Sequence, residues 1–217
     1  MRYALYLSAL ILSFNASYPQ SGGVGLSHYL FPKFTKGVIL MKSGIKNQLL
    51  LNYNSLTEEM IFENNGKKLA IAEEELKLID TVFIESRKFI PMNNKFFELA
   101  YHSKCDLYVE HKCSMIPPGK PSAYGGTSQT SSITSISSIK SAGRLYEIEL
   151  PEGYEIKPYT CYWLKKNGEL NKFINMKQLM KLYDDKKDLF KVYVRKYDVK
   201  YNNQESMIQL IKYLETN

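Results

Sequence analysis

Short apolar and polar runs alternate along the chain from Lys36 to Ile174 and are broken by turn residues, a period-two pattern that predicts strands. KGVILMK and IKNQLLLNY flank Ser43-Gly44, a hairpin signal, and MIFE and KLAIA flank Asn64-Asn65-Gly66-Lys67. Asn-Gly favours the left-handed dihedrals of a type I′ turn, so the second pair predicts a tight hairpin. DTVFIES, RKFIP and FFELAY follow, the last two joined through Met92-Asn93-Asn94-Lys95. The run CDLYVEHKC puts Leu107, Val109 and His111 on one face and Asp106, Tyr108 and Glu110 on the other. Eight strands are expected before residue 114.

Residues 114–143 break the pattern. They carry Pro117-Pro118, Gly125-Gly126 and ten Ser or Thr between residues 127 and 141, the composition of a long loop. Strands are expected again at RLYEIEL, TCYWLKK and ELNKFIN, with Asn167-Gly168 as another hairpin turn. After Ile174 the apolar period lengthens to that of a helix. Met176, Leu179, Met180 and Tyr183 share one face behind Asn175, a suitable N-cap. Asp185 is placed to cap a second helix whose inward side would be Leu189, Phe190, Tyr193, Val194 and Tyr197. Asn203 is placed to cap a third, with Met207, Leu210, Ile211 and Leu214 inward. Helices this short need packing against one another or a sheet to persist in water.

The expected fold is therefore α+β: a mostly antiparallel β body, barrel or sandwich, followed by three short C-terminal helices. The expected divisions are residues 1–17 as signal peptide, 18–35 as irregular lead-in, 36–174 as β-rich domain with the long loop 114–143, and 175–217 as helical subdomain. At 217 residues and 44% hydrophobic content the chain can bury its own core, which excludes disorder of the chain as a whole.

Arg2, the apolar stretch 4–14 and the small residues Ala16 and Ser17 read as a secretory signal, so an exported protein of the periplasm or cell surface is expected. No run reaches the ~18 apolar residues of a membrane-spanning helix. Charge is uneven. Residues 18–163 are nearly balanced, whereas residues 164–200 hold 11 basic against 5 acidic groups. That surplus points to an envelope protein, a glycan or lipid headgroups as partner; nucleic acid is not expected, because no nucleic-acid module is legible.

The runs GVILMKSG, LLLNYN, MIFENNGKKLAI, IDTVFIESRKFIP and FFEL, the loop run AYGGTSQTSSIT and the closing KKDLFKVYVRKYDVKYNNQESMIQLIKYLE resemble a family of exported β-rich proteins of Bacteroidetes with a C-terminal helical tail. The resemblance spans nearly all of the chain after the N-terminal apolar stretch. It implies export, a β-rich body and a helical tail, and no particular activity or catalytic residue.

Candidate chemistry is sparse. His102, Cys105, His111 and Cys113 are zinc-type ligands gathered within twelve residues, but a straight strand between Cys105 and Cys113 would span roughly 26 Å, so no metal site is expected. Cys113 with Cys161 is the candidate disulfide, and three free buried thiols are the alternative. Glu147 and Glu149 lie two apart on an expected strand, the spacing of an ordinary wet face. Tyr124, Gly125, Gly126, Thr127 and Ser128 offer consecutive amides and hydroxyls for a ligand, with Tyr162 and Trp163 nearby as aromatic contacts. No catalytic constellation and no cofactor are expected. The expected function is that of an exported non-enzymatic envelope interaction protein, acting through its sheet surface, long loop or basic helices. The alternative is a glycan or small-ligand binder using the 114–143 loop and neighbouring tyrosines.

Overall fold

The computed structural model describes residues 28–118, 120–121, 127–128 and 154–217. The eight strands expected before the loop are β1 (Thr35–Met41), β2 (Lys46–Asn54), β3 (Glu59–Asn64), β4 (Lys67–Ala70), β5 (Ile79–Ile84), β6 (Arg87–Met92), β7 (Lys95–His102) and β8 (Asp106–Ile116). A short helix, α1 (Glu73–Leu76), which the pattern did not announce, links β4 to β5. Beyond β8 come two two-residue strands, β9 (Lys120–Pro121) and β10 (Thr127–Ser128), then β11 (Glu155–Lys166) and β12 (Glu169–Phe173). The helices are α2 (Met176–Leu182), α3 (Lys187–Tyr197) and α4 (Gln204–Thr216).

All but β9 and β10 join one antiparallel sheet in the order β12-β11-β8-β7-β6-β5-β1-β2-β3-β4. Turn chemistry sets its register. Asn65 and Gly66, Asn93 and Asn94, and Asn167 and Gly168 all hold positive φ, as two-residue I′ turns require. The β1–β2 turn is longer than the two residues expected: Met41 N–H donates to the Ile45 carbonyl, and Gly44 sits at φ +86°.

The sheet curls back on itself. In a flat sheet β2 and β8, five strand positions apart, would be about 24 Å from each other. Instead the rings of Tyr53 on β2 and His111 on β8 lie 6.4 Å apart, and Cys113 N–H donates to the Ser55 carbonyl at 3.0 Å. The arch so formed encloses Phe31, Leu51, Tyr53, Ile84, Phe89 and Phe96. Phe31 enters from the lead-in segment, whose backbone is held on both sides by the buried Asn52 carboxamide. Gly37 on β1 sits so close to the neighbouring strands that a Cβ would stand 2.6 Å from the Phe83 carbonyl oxygen of β5.

A second core lies where β8, β11 and β12 meet the helices. Leu107, Val109, Tyr162 and Phe173 from the sheet pack with Leu179, Tyr183, Phe190, Met207, Leu210, Ile211 and Leu214. Asn175 and Asn203 accept the expected capping bonds from Gln178 and Ser206. The second helix departs from expectation. Asp185 lies in a 3₁₀ turn (Asp184–Lys186) and α3 has no side-chain cap. Of its expected inward residues Phe190 is buried and Tyr193 and Val194 pack partly buried against the core, while Leu189 and Tyr197 are exposed. The helix is amphipathic in sequence, but its neighbours cover only a narrow stripe of it.

Candidate functional site

Several expected positions lie outside the described residues: the apolar stretch 4–14, Tyr124, Gly125, Gly126, Glu147 and Glu149, and most of the 114–143 loop. Thr127 and Ser128 form β10, paired with Pro121 and Lys120 of β9. Tyr162 and Trp163 are neighbours on β11 and so point to opposite faces. Tyr162 is fully buried, stacked on Phe173 at 5.4 Å with Tyr201 edge-on at 5.1 Å. It belongs to the helix-facing core and does not share a ligand surface with Trp163.

The candidate disulfide is corrected by register. Cys113 stands opposite Pro158, and Cys161 stands opposite Glu110. The position opposite Cys113 is thus three residues from Cys161 along β11, and the two cysteines face opposite sides of the sheet, so no bridge can close. Cys105, Cys113 and Cys161 are all free and buried. Burial pushes the Cys105 thiol up to about 11 and the Cys113 thiol up to about 12, so neither is a ready nucleophile.

The His and Cys pairs are likewise separated. His102 is exposed and hydrogen-bonded through Nδ1 to Asp106 at 2.5 Å, whereas His111 lies inside the arch. Among the described residues no group of three or more His, Cys, Asp or Glu is gathered for a metal ion.

What the structure does gather is a buried polar hub on Glu98. This carboxylate faces inward from β7 and accepts from four donors. Arg87 Nε reaches Oε1 at 2.9 Å and Arg87 Nη2 reaches Oε2 at 2.5 Å. His111 Nε2 reaches Oε2 at 2.6 Å, and Gln204 at the start of α4 reaches Oε1 at 3.1 Å. Nε2 carries at most one hydrogen; donated to Glu98, it makes His111 and Arg87 two donors converging on one oxygen. That convergence explains why their nitrogens approach to 2.7 Å. Phe31 and Phe89 lie 5.3 and 5.6 Å from the guanidinium.

Burial alone would raise the Glu98 carboxyl, but the His111 and Arg87 bonds outweigh it and hold the group at about 2. Burial lowers His111, and the neighbouring guanidinium adds to that against the pull of Glu98. A carboxylate so satisfied stays ionised near neutrality and has no proton to give. The hub ties β6, β7 and β8 to α4, fixing the helical layer against the sheet. The sequence reading passed over Glu98; the signal was a lone acid inside the apolar run FFELAY.

On the outer face Glu110 is the counterpart. It accepts from the Trp163 indole at 3.2 Å, Lys112 at 3.1 Å and Lys172 at 3.2 Å. Burial would raise it, yet Trp163 and the lysines hold it at about 2. Glu58, in the β2–β3 turn, bridges to Lys95 at 2.6 Å and Lys112 at 3.0 Å. The half-buried Trp163 is packed edge-to-face with Phe97 and has Lys172 5.2 Å from its ring centre.

One face of α3 is left open to solvent. Its exposed residues include Lys187, Asp188, Leu189, Lys191, Val192, Arg195, Lys196 and Tyr197. Val192 is 62% exposed and Tyr197 55%, large values for apolar and aromatic side chains. Tyr193 stacks between Tyr197 and Tyr213 with ring centres 4.5 Å apart on each side, and Lys196 lies over Tyr197 at 5.1 Å. Of these cations only Lys187 is ion-paired among the described residues, with Asp184. By contrast α4 turns Met207, Leu210, Ile211 and Leu214 fully inward.

No known family model, curated protein or solved structure matches this chain. Among the described residues no helix is long and apolar enough to cross a membrane.

Proposed function

We propose that this protein is an exported, non-enzymatic interaction protein of the cell envelope, with α3 as its principal contact surface. The observation that carries the reading is the contrast within the helical layer. α4 is consumed by the core, while α3 keeps a basic, partly apolar face in solvent on a scaffold that the Glu98 hub holds in place. Exposed apolar residues ringed by charge are the anatomy of a protein-binding patch. The N-terminal run of Arg2 and the apolar residues 4–14 supports the location.

Affinity capture of the tagged protein from native envelopes, repeated across a salt series, tests the reading. A stoichiometric protein partner that dissociates as salt rises is expected, since exposed charge is screened within about 8 Å at physiological ionic strength. Absence of a partner at every salt concentration would contradict it.

A further inference from the structure

Resting on that reading, we infer that α3 docks an acidic protein segment that presents apolar side chains to Val192 and Leu189 and carboxylates to Lys191, Arg195 and Lys196. Charge complementarity identifies the occupant. The exposed charged groups of α3 are Lys187, Lys191, Arg195 and Lys196 against the single acid Asp188. One turn before it lie Asp184, already bridged to Lys187, and Asp185; just after it Asp198 is bridged to Lys200. Lys191 and Arg195 have no ion-pair partner among the described residues and stand on successive turns at i, i+4, matching carboxylates one helical turn apart.

The apolar part of the patch favours protein over lipid. Val192 is an island between Asp188, Lys191, Arg195 and Lys196, with Leu189 one turn away and 36% exposed. A helix that enters a bilayer interface presents a continuous apolar face, which the isolated Val192 and the partly exposed Leu189 do not provide. A protein hot spot needs only a small apolar centre with a polar rim. The stacked tyrosines at positions 193, 197 and 213 add a preformed wall on one flank, with few rotors left to order on binding.

The test uses the full folded chain and backbone amide shifts. The probe is a short peptide of Glu and Asp with leucines at helical i and i+3 spacing. Two further arms are the same peptide with Gln replacing every acid and vesicles containing phosphatidylglycerol. Shifts centred on α3 are expected with the acidic peptide only. The double charge reversal Lys191→Glu/Arg195→Glu should weaken binding about a hundredfold, and Val192→Ser about tenfold. The control reversal Lys36→Glu/Lys46→Glu, on β1 and β2, should leave it unchanged. Shifts spread over the sheet, equal loss in the control, or vesicle binding without peptide binding would overturn the inference. The two proposals fail separately. A captured envelope partner that survives the α3 reversals would leave the interaction reading standing and sink this site.

Discussion

Replacing Glu98 by Gln is the sharpest perturbation of the scaffold. The carboxamide keeps the shape but offers one acceptor oxygen where four donors converge, so Arg87 and His111 lose their shared partner inside the arch. The magnitude follows from the carboxyl itself. Its shift from 4.5 to about 2 corresponds to about 3 kcal/mol of stability at neutral pH, in the range found when one partner of a buried ion pair is removed. Because the folded-state value is depressed, this stability is present above about 4.5 and is lost as pH falls toward 2. Glu110 titrates over the same interval, so the wild-type curve alone does not isolate the hub. The difference between wild type and Glu98→Gln, from urea unfolding at a series of pH values, does. It should be about 3 kcal/mol at pH 7 and shrink steadily below about pH 4.5. A difference under about 1 kcal/mol at neutral pH, or one that does not change with acid, would refute the hub as the tie between sheet and helices.

Other outcomes follow from single positions. Gly37→Ala should destabilise the fold by about 1–3 kcal/mol in the same urea assay, because the added methyl would overlap the Phe83 carbonyl oxygen at 2.6 Å and Leu51 Cδ1 at 2.7 Å. Leu210→Ala, at a fully buried position on the inward face of α4, should cost about 2–5 kcal/mol, read from the urea midpoint and slope. Unfolded without reductant, the protein should take up alkylating reagent on all three cysteines by mass spectrometry; labelling of only one would restore a disulfide. His111, held neutral by burial, adds stability above about pH 6.5 that declines as pH falls, so His111→Asn should flatten wild-type stability between about pH 7 and 5.

Strand order along the chain was legible because turn signals are local. Asn64-Asn65-Gly66-Lys67 and Asn167-Gly168 announce their hairpins with backbone requirements that few other residues meet. The helix starts at Asn175 and Asn203 were legible for the same reason. The curl of the sheet was not. It depends on Tyr53 meeting Phe89 and His111 across the arch, contacts with no sequence periodicity. The inward side of α3 was legible only in part: Phe190 is buried and Tyr193 and Val194 pack against the core, but Leu189 and Tyr197 stay in solvent, because a 3.6-residue pattern does not say how wide a stripe the neighbours cover. Tyr162 and Trp163 look alike as adjacent aromatics; only the pleat separates one into the core and the other onto the outer face. The Cys113–Cys161 pairing failed for the same reason, since register and face together decide which cysteines can meet.

Site-specific crosslinking in living cells tests most directly the proposal that α3 is the contact surface. A photoreactive amino acid would replace Val192 in one variant and Phe83, exposed on β5, in the other. A discrete crosslinked protein is expected from position 192 and none from position 83. Crosslinking from position 83 alone, or the same products from both, would contradict it.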